Sequence, residues 1–253
     1  MLPTPTSIPI IGLPVAVTDY AGAVSWVMGA ARRGDRAYAV EAANTHVAAL
    51  ARRDEEFGRS MARFDLVCPD GMPLIWVLNR RLPEGERLRD RVYGPTLMLE
   101  TFRATDGVGD MRHFLLGGSE ATQEKLRTRL GEQFPGAAIV GSYSPPFGPW
   151  PGDENERITD CIRESGANLV WVGLGCPKQE HWIARMFDSL PPAVYFGIGA
   201  AFAFHAGEVR QAPAWMQRRG LEWLFRIATE PRRLFKRYLV HNTLFLYYLM
   251  RDR

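Results

Sequence analysis

Residues 168–175 read Asn-Leu-Val-Trp-Val-Gly-Leu-Gly. Four apolar side chains, Leu169 to Val172, follow one another without a polar break. The run is too short for a helix and does not alternate, so it reads as a strand covered on both faces. It is preceded by a helical pattern, "DENERITDCIRES" (153–165). It is followed by "PKQEHWIARMFDSL" (177–190), with Pro177 expected at the first helical position. Working outward, five more runs have the same character: "RAYAVEAAN" (36–44), "DLVCP" (65–69), "RHFLLGG" (112–118), "AAIVGSY" (137–143) and "AVYFGIGA" (193–200). A further helix is expected over "SEATQEKLRTRLGEQF", with Ser119 as its N-cap. Strand and helix in alternation predict right-handed βαβ units. The expected fold is α/β: a Rossmann-like, mostly parallel sheet with helices on both faces, plus a C-terminal all-helical appendage.

That appendage begins where the rhythm stops. From Trp215 onward only helical pattern appears, interrupted at Pro231. The expected division is an α/β domain over 1–208 and a basic helical appendage over 209–253. The appendage carries ten Arg and Lys against three Asp and Glu, while the chain as a whole has a net charge of only +3. A mildly acidic body with a basic tail calls for an anionic partner. Arg233 and Arg237 share one helical face, and Leu234, Tyr238, Phe245 and Leu249 form an apolar stripe on another. The stripe suits either packing on the body or the headgroup layer of a membrane.

Three cysteines without a CxxC pair argue against a disulfide framework or a zinc site. The N-terminal stretch has no basic n-region, and no apolar run nears the roughly 20 residues that span a bilayer. The expected location is the cytoplasm. GxGxxG, the P-loop, GxSxG and Asp-x-Asp are all absent, which disfavours a dinucleotide dehydrogenase and removes the usual carboxylate clamp for a metal-bound diphosphate.

In open α/β sheets, ligands bind beyond the carboxyl ends of the strands. The residues expected there are Asn44, Asp70-Gly71, Gly117-Gly118, then Pro177, Lys178, Gln179 and Glu180. Gly117-Gly118 suits either a phosphate at a helix N-terminus or a plain strand-to-helix turn. Pro69-Asp70-Gly71 is turn chemistry. A carboxylate at a strand end in a crevice is equally where a general base would sit. From these residues alone both readings stand, and Arg91 in "DRVYGPTLM" is a surface residue as readily as a functional one.

Taken together and in order, "EAANTHVAALARRD", "DLVCPDGMPLIWVLN", "RVYGPTLM", "FLLGG", "YSPPF", "VWVGLGCPKQEHWI", "FGIGAAFAFHAG" and "QAPAWMQRRGLEWLFRIATEPRRLFKRYL" resemble the WecG/TagA/CpsF glycosyltransferases over roughly residues 8–240. The resemblance implies transfer of a sugar, of N-acetylmannosamine type or a hexose, from a UDP-sugar to an undecaprenyl-diphosphate-linked saccharide. It further implies inversion, no obligatory metal or other cofactor, and a peripheral place on the inner face of a bacterial plasma membrane. The products serve cell-surface polysaccharide or teichoic acid synthesis. Residue by residue, Asp70 falls on a general base, Arg91 on the residue that meets the leaving diphosphate and Gln179 on a substrate-positioning residue. Arg226 and Arg233, with Arg237 beside them, fall on the part that completes the site. Ala42 stands where the family often has Thr, and Gln211 where it usually has Arg. The expected partners are thus the UDP-sugar, the lipid-diphosphate acceptor and the membrane surface, with no nucleic acid, and homo-oligomerisation is left open. The alternative reading is a catalytically silent nucleotide-sugar-binding subunit of a synthase complex.

Overall fold

The computed structural model describes residues 5–213, 215–216 and 219–252, with the backbone alone for 231–238. A two-stranded hairpin, β1 (Ser7–Ile10) and β2 (Leu13–Ala16), opens it. Helix α1 (Tyr20–Arg33) leads to β3 (Tyr38–Ala43). Helices α2 (Thr45–Arg53) and α3 (Glu55–Met61) lead to β4 (Leu66–Pro69). Then come α4 (Met72–Asn79), α5 (Gly94–Thr105), β5 (Arg112–Gly117), α6 (Glu120–Gln133) and β6 (Ala138–Tyr143). Helix α7 (Glu154–Ser165), β7 (Leu169–Gly173), α8 (Lys178–Met186), β8 (Val194–Gly197) and α9 (Ala200–His205) complete the alternation. Two described helices close the chain, α10 (Glu222–Thr229) and α11 (Pro231–Arg251).

The six expected strands form one all-parallel sheet in the order β4-β3-β8-β7-β5-β6. Helices cover both faces, as the unbroken apolar strands require. One buried cluster joins Ala39 and Ala43 of β3 to α2, α3, α7 and α8; the other joins Val40 and Ala42 to α1, α5, α6 and α9. Ser119 caps α6 as expected, its hydroxyl accepting from Thr122 N at 3.1 Å. Pro177 lies one position before α8 rather than at its first turn.

The β1–β2 hairpin is a difference from the sequence reading. Pro9 and Pro14 argue against strands there, yet they face each other on a rung whose backbone N–H groups point away from the partner strand, so the ladder loses no bond to them. Ile11 and Gly12 between the strands both have positive φ, the geometry of a tight two-residue hairpin turn.

His113 is fully buried between Phe102 and Trp171. Trp171 Nε1 donates to its Nδ1 at 3.0 Å, and Thr105 Oγ1, whose own proton goes to the Thr101 carbonyl, lies 2.8 Å from Nε2. Nε2 therefore carries the ring proton. Burial lowers the pKa of this histidine to about 3 and keeps it a neutral core residue.

The C-terminal helix is built into the body. Phe245 is buried in the same cluster as β3 and α2, with Leu244, Tyr248 and Leu249 packed against it. Thr45 Oγ1 donates to Asn242 Oδ1 at 2.7 Å, the His46 and His241 rings meet edge to face, and Arg52 pairs with Asp252. Of the expected stripe, Phe245 and Leu249 thus face inward, and the side chains of Leu234 and Tyr238 lie outside the described residues. The outward face of α11 carries Leu239, Leu246, Tyr247 and Met250 instead.

Candidate active site

The strand order sets the place of the site. The chain enters the sheet at β3, goes outward to β4, and returns on the other side through β5, β6 and β7 before β8 closes the gap beside β3. The connections leaving β3 and β8 therefore diverge, which opens a crevice at their carboxyl ends. A cavity of about 960 Å³ occupies it, at the large end of ligand-site sizes.

Its floor is made by strand ends. Asn44 follows β3, and its Oδ1 caps α2 by accepting from His46 N and Val47 N at 3.0 and 3.3 Å. Asp70 and Gly71 follow β4; Asp70 N donates to the Ala43 carbonyl at 2.8 Å, tying the two strand ends together. Gln179 enters from α8. Its Oε1 accepts from Gly175 N and Gly199 N, both at 3.1 Å, and its Nε2 donates to Glu180 Oε1 at 3.1 Å. One side chain thus staples the loops after β7 and β8.

The charged centre combines Asp70 with Arg91. Arg91 lies in the segment before α5, where Val92 N donates to the Pro69 carbonyl and holds it against the end of β4. The Arg91 guanidinium is 4.0 Å from Asp70 Oδ1 and is hydrogen-bonded to Glu222, at the start of α10. All three are nearly buried. Burial raises the Asp70 pKa well above the carboxylate range; Arg91 opposes the shift and Glu222 adds to it. Arg226, one turn along α10 from Glu222, also lines the cavity, and its guanidinium lies 5.3 Å from the Phe204 ring. Helix α11 roofs the space with Asn242, Phe245, Leu246 and Leu249.

The structure thus brings Asn44, Asp70, Gly71, Arg91, Gln179, Glu180 and Arg226 to one cavity. It places Gly117 and Gly118 beside it, because β5 lies beyond β7, away from the β3–β8 opening. Gly117 has a backbone reason to be glycine: its φ is +108°, and a Cβ would lie 2.5 Å from the Gly173 carbonyl oxygen. Pro177 and Lys178 are also off the wall, with the Lys178 ammonium over the Trp150 ring at 4.1 Å. The Arg233 and Arg237 side chains lie outside the described residues.

Sequence reasoning missed Glu41, Glu222 and Arg80, which also line the cavity. Glu41 had a visible signal, a lone carboxylate inside an otherwise apolar strand. Glu222 and Arg80 had none, since a first-turn glutamate and an arginine at a helix end are ordinary surface choices.

A parallel α/β sheet with a deep cavity across its switch point, holding a buried carboxyl against arginines, defines an α/β protein of the kind that binds ligands at its strand ends. The family model described as Glycosyl transferase WecG/TagA/CpsF family matches residues 8–253. The chain belongs to that glycosyltransferase family.

Proposed function

We propose that the protein is an inverting glycosyltransferase. It moves a sugar of N-acetylmannosamine type, or a hexose, from a UDP-sugar to an undecaprenyl-diphosphate-linked saccharide in cell-surface polysaccharide or teichoic acid synthesis. The observation that carries this reading is the Asp70–Arg91 pair on the cavity floor, 4.0 Å apart. In inverting transfer, the acceptor hydroxyl attacks the anomeric carbon as the diphosphate leaves. The hydroxyl proton needs a base, and Asp70 is the carboxyl beside the pair's arginine. Its raised pKa makes it a stronger base once ionised, so turnover depends on the ionised fraction. Negative charge develops on the departing diphosphate, and Arg91, Arg226 and Arg80 around the cavity are suited to offset it. That supply of fixed cations supports a reaction without an obligatory metal.

Among the described residues, no helix is long and apolar enough to cross a membrane. A peripheral position on the inner membrane face is our reading for a lipid-linked acceptor. It is supported by Trp76, Trp223 and Leu246, which line the cavity and are also solvent-exposed. The test is a panel of UDP-sugars with a short-chain prenyl-diphosphate saccharide, read by UDP release and by NMR of the new anomeric centre. Release of UDP with an inverted product supports the reading. No release across the panel would leave a nucleotide-sugar-binding subunit as the better description.

A further inference from the structure

Strand β3 is buried along its whole length and apolar at every position but one. The exception, Glu41, points to the face shared with Ala39 and Ala43, and at the strand's carboxyl end that face meets the cavity. Glu41 is 2% exposed, and its Oε2 has no hydrogen-bond partner among the described residues. Its register partner on β8 is Gly197. A Cβ at Gly197 would lie 2.1 Å from Glu41 Oε2 and 3.4 Å from Gln179 Nε2. The glycine is what gives the carboxyl its room.

A core strand has no structural need for this arrangement. A valine at 41 facing an alanine at 197 would fill the space with apolar surface, whereas an unpartnered buried polar group is costly to the fold. An empty-site cost at a cavity wall is offset when a ligand supplies the missing partner. Burial first, and then the carboxyls of Glu180 and Asp70, push the Glu41 pKa up and so favour its neutral form. A neutral carboxyl offers one O–H donor and acceptor lone pairs, the same combination a sugar hydroxyl offers in return. An ionised one would repel a diphosphate.

Resting on the glycosyltransferase reading above, we propose that Glu41, through the Oε2 it holds beside Gly197 on the cavity floor, hydrogen-bonds a hydroxyl of the transferred sugar and is a specificity-determining residue. The arginines serve the diphosphate common to every UDP-sugar. Glu41 reads the part that differs between them.

The experiment compares wild type, Glu41→Gln, Glu41→Val and Glu41→Met. Each is titrated calorimetrically with UDP and with UDP-hexoses that are epimers of one another, and kcat/KM is measured for each donor by UDP release. Glu41→Val should bind UDP within about twofold of wild type, yet lose about 10- to 100-fold in affinity for the preferred UDP-sugar. Its preference between epimers should fall toward unity. Glu41→Gln keeps a donor and an acceptor and should stay within several-fold. Glu41→Met, similar in length, replaces the valine variant if that one does not fold. Unchanged epimer preference and unchanged UDP-sugar affinity in a folded apolar variant would overturn the proposal while leaving the glycosyltransferase reading intact. A wild type that binds neither UDP nor any UDP-sugar would overturn both.

Discussion

Asp70 is asked to do two things that pull apart. It terminates β4, with Asp70 N tied to the Ala43 carbonyl, and it faces Arg91 in a buried cleft. Asp70→Asn keeps the size and the backbone bond, so the strand end should survive. Turnover should drop by about two orders of magnitude or more with UDP-sugar binding nearly unchanged, measured by UDP release beside calorimetry. Glu222 makes a second prediction. Its charge raises the Asp70 pKa, and it also engages Arg91. Glu222→Gln removes the negative neighbour and frees Arg91 for Asp70, and both changes lower that pKa. The ascending limb of the kcat/KM–pH profile should therefore move to lower pH; a limb that stays put would separate Glu222 from the base.

The same buried carboxyls make stability depend on pH in a stated direction. Burial pushes the Glu180 pKa up to about 7, above its value in an unfolded chain. The folded state therefore holds that proton longer than the unfolded one. The associated stability is fully present below about pH 4.5 and is lost as pH rises toward 7, on the order of 3 kcal/mol for a shift of this size. Thermal unfolding should show a lower Tm at pH 8 than at pH 5, and Glu180→Gln should shrink that difference.

Elements differ in how far the sequence announced them. The six parallel strands were legible because each is a short apolar run between turn residues, and Ser119 declared the start of α6 through its side-chain chemistry. The β1–β2 hairpin was not legible, because proline's local preference hides a pairing that only the opposite strand makes tolerable. The site divided along the same line. Asp70 and Gln179 follow strand ends and could be placed by counting from them. Glu222 comes to Arg91 across 131 residues of chain, and no local spacing records that contact. Helix α11 is the clearest case of tertiary context deciding: its apolar positions allowed a membrane face or a packed one, and Phe245 took the packed one. Phe245→Ala should cost about 3 kcal/mol or more, as for other buried aromatic truncations, and chemical denaturation would measure it. A loss near zero would mean that α11 adds nothing to the folded body.

At the scale of the whole molecule, the fold works by bringing distant chain segments to one opening. Strand β3 supplies the floor early, β8 closes beside it, and α10 and α11 deliver Glu222, Arg226 and the roof last. The basic charge that stands out at the C-terminal end of the chain is thereby partly turned inward, with Arg226 on the cavity wall. On the proposed reading, recognition of an anionic group and closure of the cavity fall to the same stretch of chain.

The neighbour relation between β3 and β8 has a consequence for biosynthesis. During translation, β3 emerges about 150 residues before the strand that must sit against it. Until Val194–Gly197 leaves the ribosome, β3 and β7 each present an apolar, unpaired edge, and the nascent sheet exists as two halves with a missing centre. Closing that gap is a non-local step of high contact order, slow to form and sensitive to interruption. Chains arrested before residue 190 should therefore accumulate as chaperone-bound or aggregated species, while chains extended past α11 should become protease-resistant. Pulse proteolysis on stalled ribosome complexes of increasing length would show resistance appearing in one late step rather than domain by domain.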